Sequence, residues 1–312
     1  MHLNLHLLRI FFTVAGQRSF SEAARVLRIS QPAVSKAVGE LERRLDLPLL
    51  ERSASGARGV HLTANGAALF EHARGIFALE RAASEDIRAR VGLQRGRLSV
   101  GASTTVAAYW LPAYAAAFSL RFPAIDLKIG VGNTQMVCDG LIGCEFDIAL
   151  VEGAIHDSRI LSTHWRDDEL RIIASPHAPV ARRRRPSLAE LNSEIWLLRE
   201  PGSGTRDVTE RLMRSNGIAP RRTIEIGSNE GIARAVACGL GVAMLPTCVL
   251  GELIVLQQLK PLPFPDEAAL VRPLLLLQLK ERPPSPLIRA FRDVLRQPPA
   301  AGSDEAVKRV RR

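Results

Sequence analysis

Ser19-Phe20-Ser21-Glu22-Ala23-Ala24-Arg25-Val26-Leu27-Arg28-Ile29-Ser30-Gln31-Pro32-Ala33-Val34-Ser35-Lys36-Ala37-Val38 is the stretch that decides the fold of the N-terminal part of the chain. It reads as two short helices joined by a tight turn. The first runs from Ser21 to Leu27, with Ser21 as N-cap and the small Ala23 and Ala24 permitting close helix contact. Arg28-Ile29 makes the turn and Ser30 caps the second helix. Pro32 then sits in the first turn, where a missing backbone N–H costs little. Val34, Val38, Leu41 and Leu45 fall at i, i+4, i+7 and i+11, an apolar stripe that faces a core. Gln31, Ser35 and Lys36 lie on the opposite side of the helix's N-terminal half. That face is short, polar and small enough to enter a major groove. A helix-turn-helix presents its second helix in this way, although any two-helix corner shows the same periodicity.

The flanks strengthen the reading. Leu5 to Ala15 form an earlier helix with Leu8, Phe11, Phe12 and Ala15 at helical spacing. Leu47 to Arg52 and Val60 to Thr63 are short extended runs around a Gly-containing basic loop, Ser53 to Gly59, and together they make a wing. With these elements in place the chain resembles the LysR-type transcriptional regulators. The resemblance is carried by Leu8-Arg9, Phe11, Val14-Ala15, Ser19-Phe20, Ala23-Ala24, Ser30-Gln31-Pro32-Ala33-Val34-Ser35, Leu41-Glu42, Leu45, Arg52, Leu62-Thr63 and Gly66. Departures are mild: Arg18 and Asp46 stand where Gly is common, Leu50 where Phe is, and Asn65 where Ala is. The resemblance implies that Ser30, Gln31, Pro32, Ser35, Lys36 and Arg52 form the DNA-binding set. Gln31 and Ser35 would face base edges, Pro32 a thymine methyl, and Lys36 and Arg52 the phosphates or the adjacent minor groove.

Composition agrees with a nucleic-acid partner. The 312 residues suffice for two or three domains, and the formal net charge of +10 favours a polyanion. Arg182 to Arg185, in a loop before Pro186, and the basic tail of residues 298–312 add charge without specificity. No run of about twenty apolar residues crosses a membrane, and the N-terminus lacks a secretory leader, so the expected location is the cytoplasm. Cys138, Cys144, Cys238 and Cys248 have no metal-ligand spacing, and none of the 7 histidines falls in a hydrolase motif. Gly202-Ser203-Gly204 lacks the nucleophile-elbow spacing, and no phosphate-loop Gly-Lys-Ser/Thr motif occurs. No catalytic residue, metal or cofactor is expected.

From residue 63 to 91 the chain reads as one long helix. Leu69, Ala73, Ile76, Ala83 and Ile87 keep a near-heptad seam flanked by Phe70 and Phe77. The seam packs either on its own domain or on a second copy of the chain; the resemblance implies a dimerising linker and a homotetramer built as a dimer of dimers. Beyond residue 95, strand signals alternate with helical runs through residue 297. This pattern is that of βαβ units and a mainly parallel sheet. The expected class is therefore α/β: a winged helix-turn-helix at 1–62, a linker helix at 63–91, and a two-lobed, periplasmic-binding-protein-like effector domain at 95–297. Its lobe I spans 95–164 and 269–297, and its lobe II spans 165–268. The resemblance implies a pocket between the lobes.

Three strand-to-helix junctions would supply hydroxyls and backbone N–H groups there. They hold Ser103, Thr104 and Thr105; Ser203, Gly204, Thr205 and Arg206; and Ser228 and Asn229. Thr134 belongs to a fourth junction at the other lobe's edge. Helix N-termini and closely approaching backbone favour an anion, although Ser, Thr and Asn at such places also serve as plain N-caps, and Arg206 can equally point to solvent. The segment from Pro201 to Arg206 resembles the carbon-fixation and sulfur-assimilation subgroup of the family, whose ligands are small anions. The function so implied is that of a sequence-specific DNA-binding transcriptional regulator controlled by a small anionic effector. Its implied partners are double-stranded DNA, the effector, further copies of the chain and RNA polymerase. Two alternatives remain at this stage. One is redox sensing through cysteines, although 199–208 holds no Cys and Cys238 reads as a small core residue. The other is a solute-binding transport protein.

Overall fold

The computed structural model describes residues 2–51, 60–90, 96–264 and 270–297. The wing loop with Arg52, and the basic tail, lie outside the described residues. The chain divides into two compact units, residues 1–87 and 88–312.

In the first unit, α1 (Leu5–Gln17), α2 (Phe20–Leu27) and α3 (Gln31–Leu45) enclose a core of Leu8, Phe11, Val14, Ala23, Val34, Val38 and Leu41. Local chemistry sets the helix ends. Asn4 accepts hydrogen bonds from the N–H groups of His6 and Leu7, and Ser30 accepts one from Ala33. The cap of α2 is Ser19 rather than Ser21: its backbone is extended and its hydroxyl accepts from Glu22 N, so the helix begins at Phe20. The wing strands β1 (Leu50–Glu51) and β2 (His61–Leu62) pair antiparallel. Glu42 holds the approach to β1, its Oε1 accepting from Leu49 N at 2.8 Å and Leu50 N at 3.1 Å. Gly66, at the start of α4 (Ala64–Arg90), is needed because a Cβ there would lie 1.9 Å from the Leu49 carbonyl oxygen. The first half of α4 packs on this same unit, with Ala73 and Phe77 buried and Leu69, Phe70 and Ile76 against the core. Phe70 stacks on Phe12 at 4.9 Å. Leu79 and Ile87, farther along, are exposed.

The second unit has two lobes built on strands that belong to both. In lobe I, β3 (Gly96–Ser103) runs parallel to β4 (Ile125–Gly132) and to β5 (Ile148–Glu152). A wide helical turn over Val106–Trp110 leads into α5 (Leu111–Arg121), and α6 (Thr134–Ile142) follows β4. The long strand β6 (Ile160–Ala174) leaves lobe I and enters lobe II without a break. Lobe II contains α7 (Leu188–Ser193), β7 (Ile195–Leu198), α8 (Gly204–Ser215), β8 (Arg222–Glu225), α9 (Asn229–Ala237), β9 (Ala243–Pro246), α10 (Thr247–Val255) and β10 (Lys260–Leu262). Returning through β11 (Val271–Leu279), the chain closes lobe I with α11 (Pro286–Arg296).

Two sequence expectations are corrected here. The sheet is mixed: β11 is antiparallel to β5 and β6, and β6 is antiparallel to β9 and β10, because both lobe-crossing strands must reverse against their neighbours. The lobe boundary lies inside β6 between Glu169 and Leu170, where its partner changes from Val271 to Pro246, rather than at residue 164. Trp165 accordingly packs in lobe I, edge-on to Tyr114 at 5.4 Å. Lobe II closes around the fully buried Trp196, whose indole N–H donates to the Leu191 carbonyl at 2.9 Å.

Candidate functional site

On the first unit, α3 buries Val34, Val38 and Leu41 and leaves Ser30, Gln31, Pro32, Ser35 and Lys36 exposed together on its N-terminal half. Gln31 Nε2 donates to Ser35 Oγ at 3.4 Å, so the two side chains lie side by side on the outer face. Downstream on the same helix, Glu40 is engaged by Arg43 and Arg44. The recognition half thus carries polar groups and a cation without a carboxylate.

On the second unit, the strand-to-helix junctions converge where the lobes meet. Arg199, at the end of β7, is buried at their centre. Its Nη1 donates to Thr104 Oγ1 in lobe I at 3.2 Å and to Asn229 Oδ1 in lobe II at 3.0 Å. Asn229 Nδ2 donates to Thr105 Oγ1 at 2.9 Å, and Tyr109 donates to Glu230 Oε1 at 2.9 Å. On the other flank, Gln135 N donates to the Gly202 carbonyl at 3.0 Å and Gly204 N donates to Thr134 Oγ1 at 3.2 Å. Gly204 sits so close to lobe I that a Cβ there would lie 2.3 Å from the Glu152 carbonyl oxygen.

Beneath these contacts lies an ionic cluster that sequence reasoning missed. Arg272 on β11 pairs with Asp168 on β6 at 2.7 Å, lies 3.7 Å from Glu152, and donates to Thr205 Oγ1 at 2.8 Å. Glu152 in turn accepts from the hydroxyls of Ser103 and Thr105. All three charged groups are buried. Burial pushes the Asp168 carboxyl above its ordinary value against the pull of Arg272, and Glu152 adds repulsion. The signal available in the sequence was the single charge in each of the otherwise apolar strands β5 and β11, Glu152 and Arg272, which is rare unless the charge is paired, whereas Asp168 stands among other charged residues of β6 and gave none.

The candidate effector residues are therefore brought together, yet most of their hydrogen-bonding capacity is used within the protein. Ser103, Thr104, Thr105, Thr134, Thr205 and Asn229 all have internal partners. Ser228 caps α9 through Gly231 N. Arg206 turns to Glu210 and Glu225 and to the Arg199 carbonyl. Ser203 differs: its hydroxyl is buried and has no hydrogen-bond partner. Glu200 closes the arrangement, its carboxylate accepting from Arg199 Nε at 2.8 Å, Arg199 Nη2 at 2.9 Å and Asn133 Nδ2 at 3.3 Å. Burial alone would raise the Glu200 carboxyl, but the hydrogen bonds from Arg199 and Asn133 outweigh it and hold the group below its ordinary value.

All four cysteines are free thiols. Cys238, expected in the core, is exposed, because α9 ends at Ala237 and Cys238 is its C-cap. Burial raises the Cys138 thiol to about 11 and raises Cys248 as well, which keeps both protonated and unreactive near neutral pH. Among the described residues no helix is long and apolar enough to cross a membrane, and no cluster of His, Cys, Asp and Glu could hold a metal ion.

A winged helix-turn-helix followed by a two-lobed binding unit defines a ligand-controlled transcriptional regulator. Residues 5–67 match the bacterial regulatory helix-turn-helix protein, lysR family, and residues 92–298 match the LysR substrate binding domain; the chain belongs to the LysR family. It is 33% identical over 243 residues to the transcriptional regulator CysL of Bacillus subtilis, covering 78% of this chain and 80% of that one. It is 34% identical over 245 residues to the RuBisCO operon transcriptional regulator of Allochromatium vinosum, with 78% and 80% covered. Among solved structures, a full-length OxyR variant from Pseudomonas aeruginosa superposes with TM-score 0.74 at 25% identity, over 95% of both chains. The regulatory domain of CcmR from Synechocystis, in complex with 2-PG, superposes with TM-score 0.59 at 27% identity, over 65% of this chain and 96% of that one.

Proposed function

We propose that this regulator reads double-stranded DNA through Ser30, Gln31, Pro32, Ser35, Lys36 and Arg52, and answers to a small anionic effector held between its lobes. The observation that carries the effector reading is the buried guanidinium of Arg199, which donates to Thr104 on one lobe and Asn229 on the other. A cation bonded to both lobes can favour one arrangement of them, and a ligand shifts such an equilibrium only by binding one arrangement better. The rest of the proposed effector set is Ser103, Thr105, Thr134, Ser203, Gly204, Thr205, Arg206, Ser228 and Asn229, gathered at the same strand-to-helix junctions. A CcmR domain of the same fold holding 2-PG supports a small-molecule occupant. The assembly is a dimer of dimers acting with RNA polymerase in the cytoplasm, and regulation needs no catalytic residue or cofactor.

The test is a thermal-shift and calorimetric screen of the full chain with sulfite, sulfate, phosphorylated sugars and small carboxylates, alongside neutral and aromatic compounds. A ligand at about a hundred times its Kd stabilises by roughly 2.7 kcal/mol. The anions stabilise the protein if the reading is right. Stabilisation by neutral or aromatic compounds alone refutes it.

A further inference from the structure

The Arg199 guanidinium presents two edges. One, through Nη1, is turned to Thr104 and Asn229. The other, Nε with Nη2, is the planar fork that suits a two-oxygen anion, and the carboxylate of the very next residue fills it in bidentate fashion. Asn133 Nδ2 donates to Glu200 Oε1 from the other lobe, completing a three-donor seat. Arg199 is only 1% exposed in its side chain, whereas the Glu200 side chain covering the fork is 25% exposed. The seat is thus closed by its occupant and is reached from solvent through that occupant. In the turn that follows, Ser203 N donates to the Glu200 carbonyl at 3.2 Å, and the Ser203 hydroxyl is buried without a partner. A buried donor without an acceptor is costly.

We propose that the Glu200 carboxylate is an internal stand-in for the effector's anionic group, which displaces it from the Arg199 fork and from Asn133. The inference rests on the anionic-effector reading above and adds to it a seat and a competitor. A sulfur or phosphorus oxyanion suits the seat best: two oxygens replace those of Glu200, and a third offers an acceptor to the donors of the same turn. Displacement also acts on the lobes. Glu200 is followed by Pro201 and Gly202, whose carbonyls accept from Asn133 Nδ2 and Gln135 N of lobe I. Moving the carboxylate out therefore disturbs the backbone that ties lobe II to lobe I. The competitor lowers apparent affinity by the fraction of time the seat is free, so it sets the effector concentration at which the protein responds.

The experiment measures binding of inorganic sulfate and inorganic phosphate to the full chain by calorimetry at neutral pH, for the wild type and Glu200→Gln. Gln keeps the shape and the Asn133 contact but loses the charge. With the competitor weakened, the variant should bind the better of the two anions about ten-fold more tightly or better. Equal or weaker binding by Glu200→Gln would show that Glu200 only positions Arg199, and the displacement idea falls while the anionic reading stands. If neither anion, nor sulfite, nor a phosphorylated sugar binds either protein, both ideas fall together. Crystals of the wild type at saturating sulfate provide a readout independent of the variant's folding. Displacement requires the sulfate on Arg199 Nε and Nη2 with the Glu200 carboxylate moved off; sulfate elsewhere with Glu200 still in the fork overturns it.

Discussion

Three residues of the DNA-binding unit adopt left-handed backbone at helix C-caps without being glycine: Arg18 at φ 50, Arg28 at φ 55 and Asp46 at φ 54. Such a conformation costs a side chain bearing a Cβ about 1–2 kcal/mol, less for Asp than for Arg. Positions 18 and 46, like position 28, are therefore places of strain. Arg18→Gly should raise the stability of the unit by about 0.5–1 kcal/mol after the larger entropy loss of glycine is subtracted. Arg18→Ala should give no such gain in the same urea titration. At the reading face, Gln31→Ala should cost about 1–3 kcal/mol on the operator and relax specificity, while Lys36→Ala weakens all DNA alike and lowers the salt slope. Equal loss on operator and random DNA for Gln31→Ala would remove Gln31 from base reading.

The helix α4 shows how one periodic stripe divides between two jobs. Its heptad spacing is legible in the sequence, but periodicity does not say which neighbour covers the stripe. The structure assigns Leu69, Ala73, Ile76 and Phe77 to the core of their own unit. Leu79 remains 51% exposed and Ile87 61% exposed, farther along the helix than the buried set. A charge at Ile76 and a charge at Leu79 should therefore act differently. Ile76→Asp places a carboxylate against an apolar core and should lower the melting temperature of the winged unit. Leu79→Asp should leave the circular dichroism and the melt unchanged at high dilution while lowering the assembly size seen by light scattering. An assembly of unchanged size for the Leu79→Asp protein would move the seam elsewhere.

In the effector unit the continuous strand β6 and its partner β11 carry the load between lobes, and their junction is where Arg272, Asp168 and Glu152 are buried. One cation faces two carboxylates. Removing the cation in Arg272→Met should destabilise by about 3–5 kcal/mol, since it strands buried charge. Asp168 has its carboxyl raised in the folded protein, so the folded state retains a proton that the unfolded chain releases. Its contribution therefore falls as pH rises from the ordinary carboxylate value through the raised folded value. Asp168→Asn should remove that part of the slope, so the wild-type minus variant difference in urea midpoint should decrease with pH across this window. A flat difference would mean that Asp168 ionises normally.

Helix ends, the turn at Arg28-Ile29, the wing strands, the alternation of strands and helices, and the family were all determined by the sequence alone. Each depends on residues a few positions apart, through caps, periodicity and turn chemistry. Even there a choice between Ser19 and Ser21 as cap needed the packing of Phe20. Only the tertiary structure decided what the cleft is made of. Arg272 meets Thr205 across 67 residues and Asn229 meets Thr105 across 124. Ser103 and Thr105, which read as free ligand donors, turn out to be bound to Glu152, and Thr205 to Arg272, each the single charge of an otherwise apolar strand. Hydrogen-bond partners at such separations are chosen by the fold, because a buried polar group is stable only beside whatever group the packing brings to it.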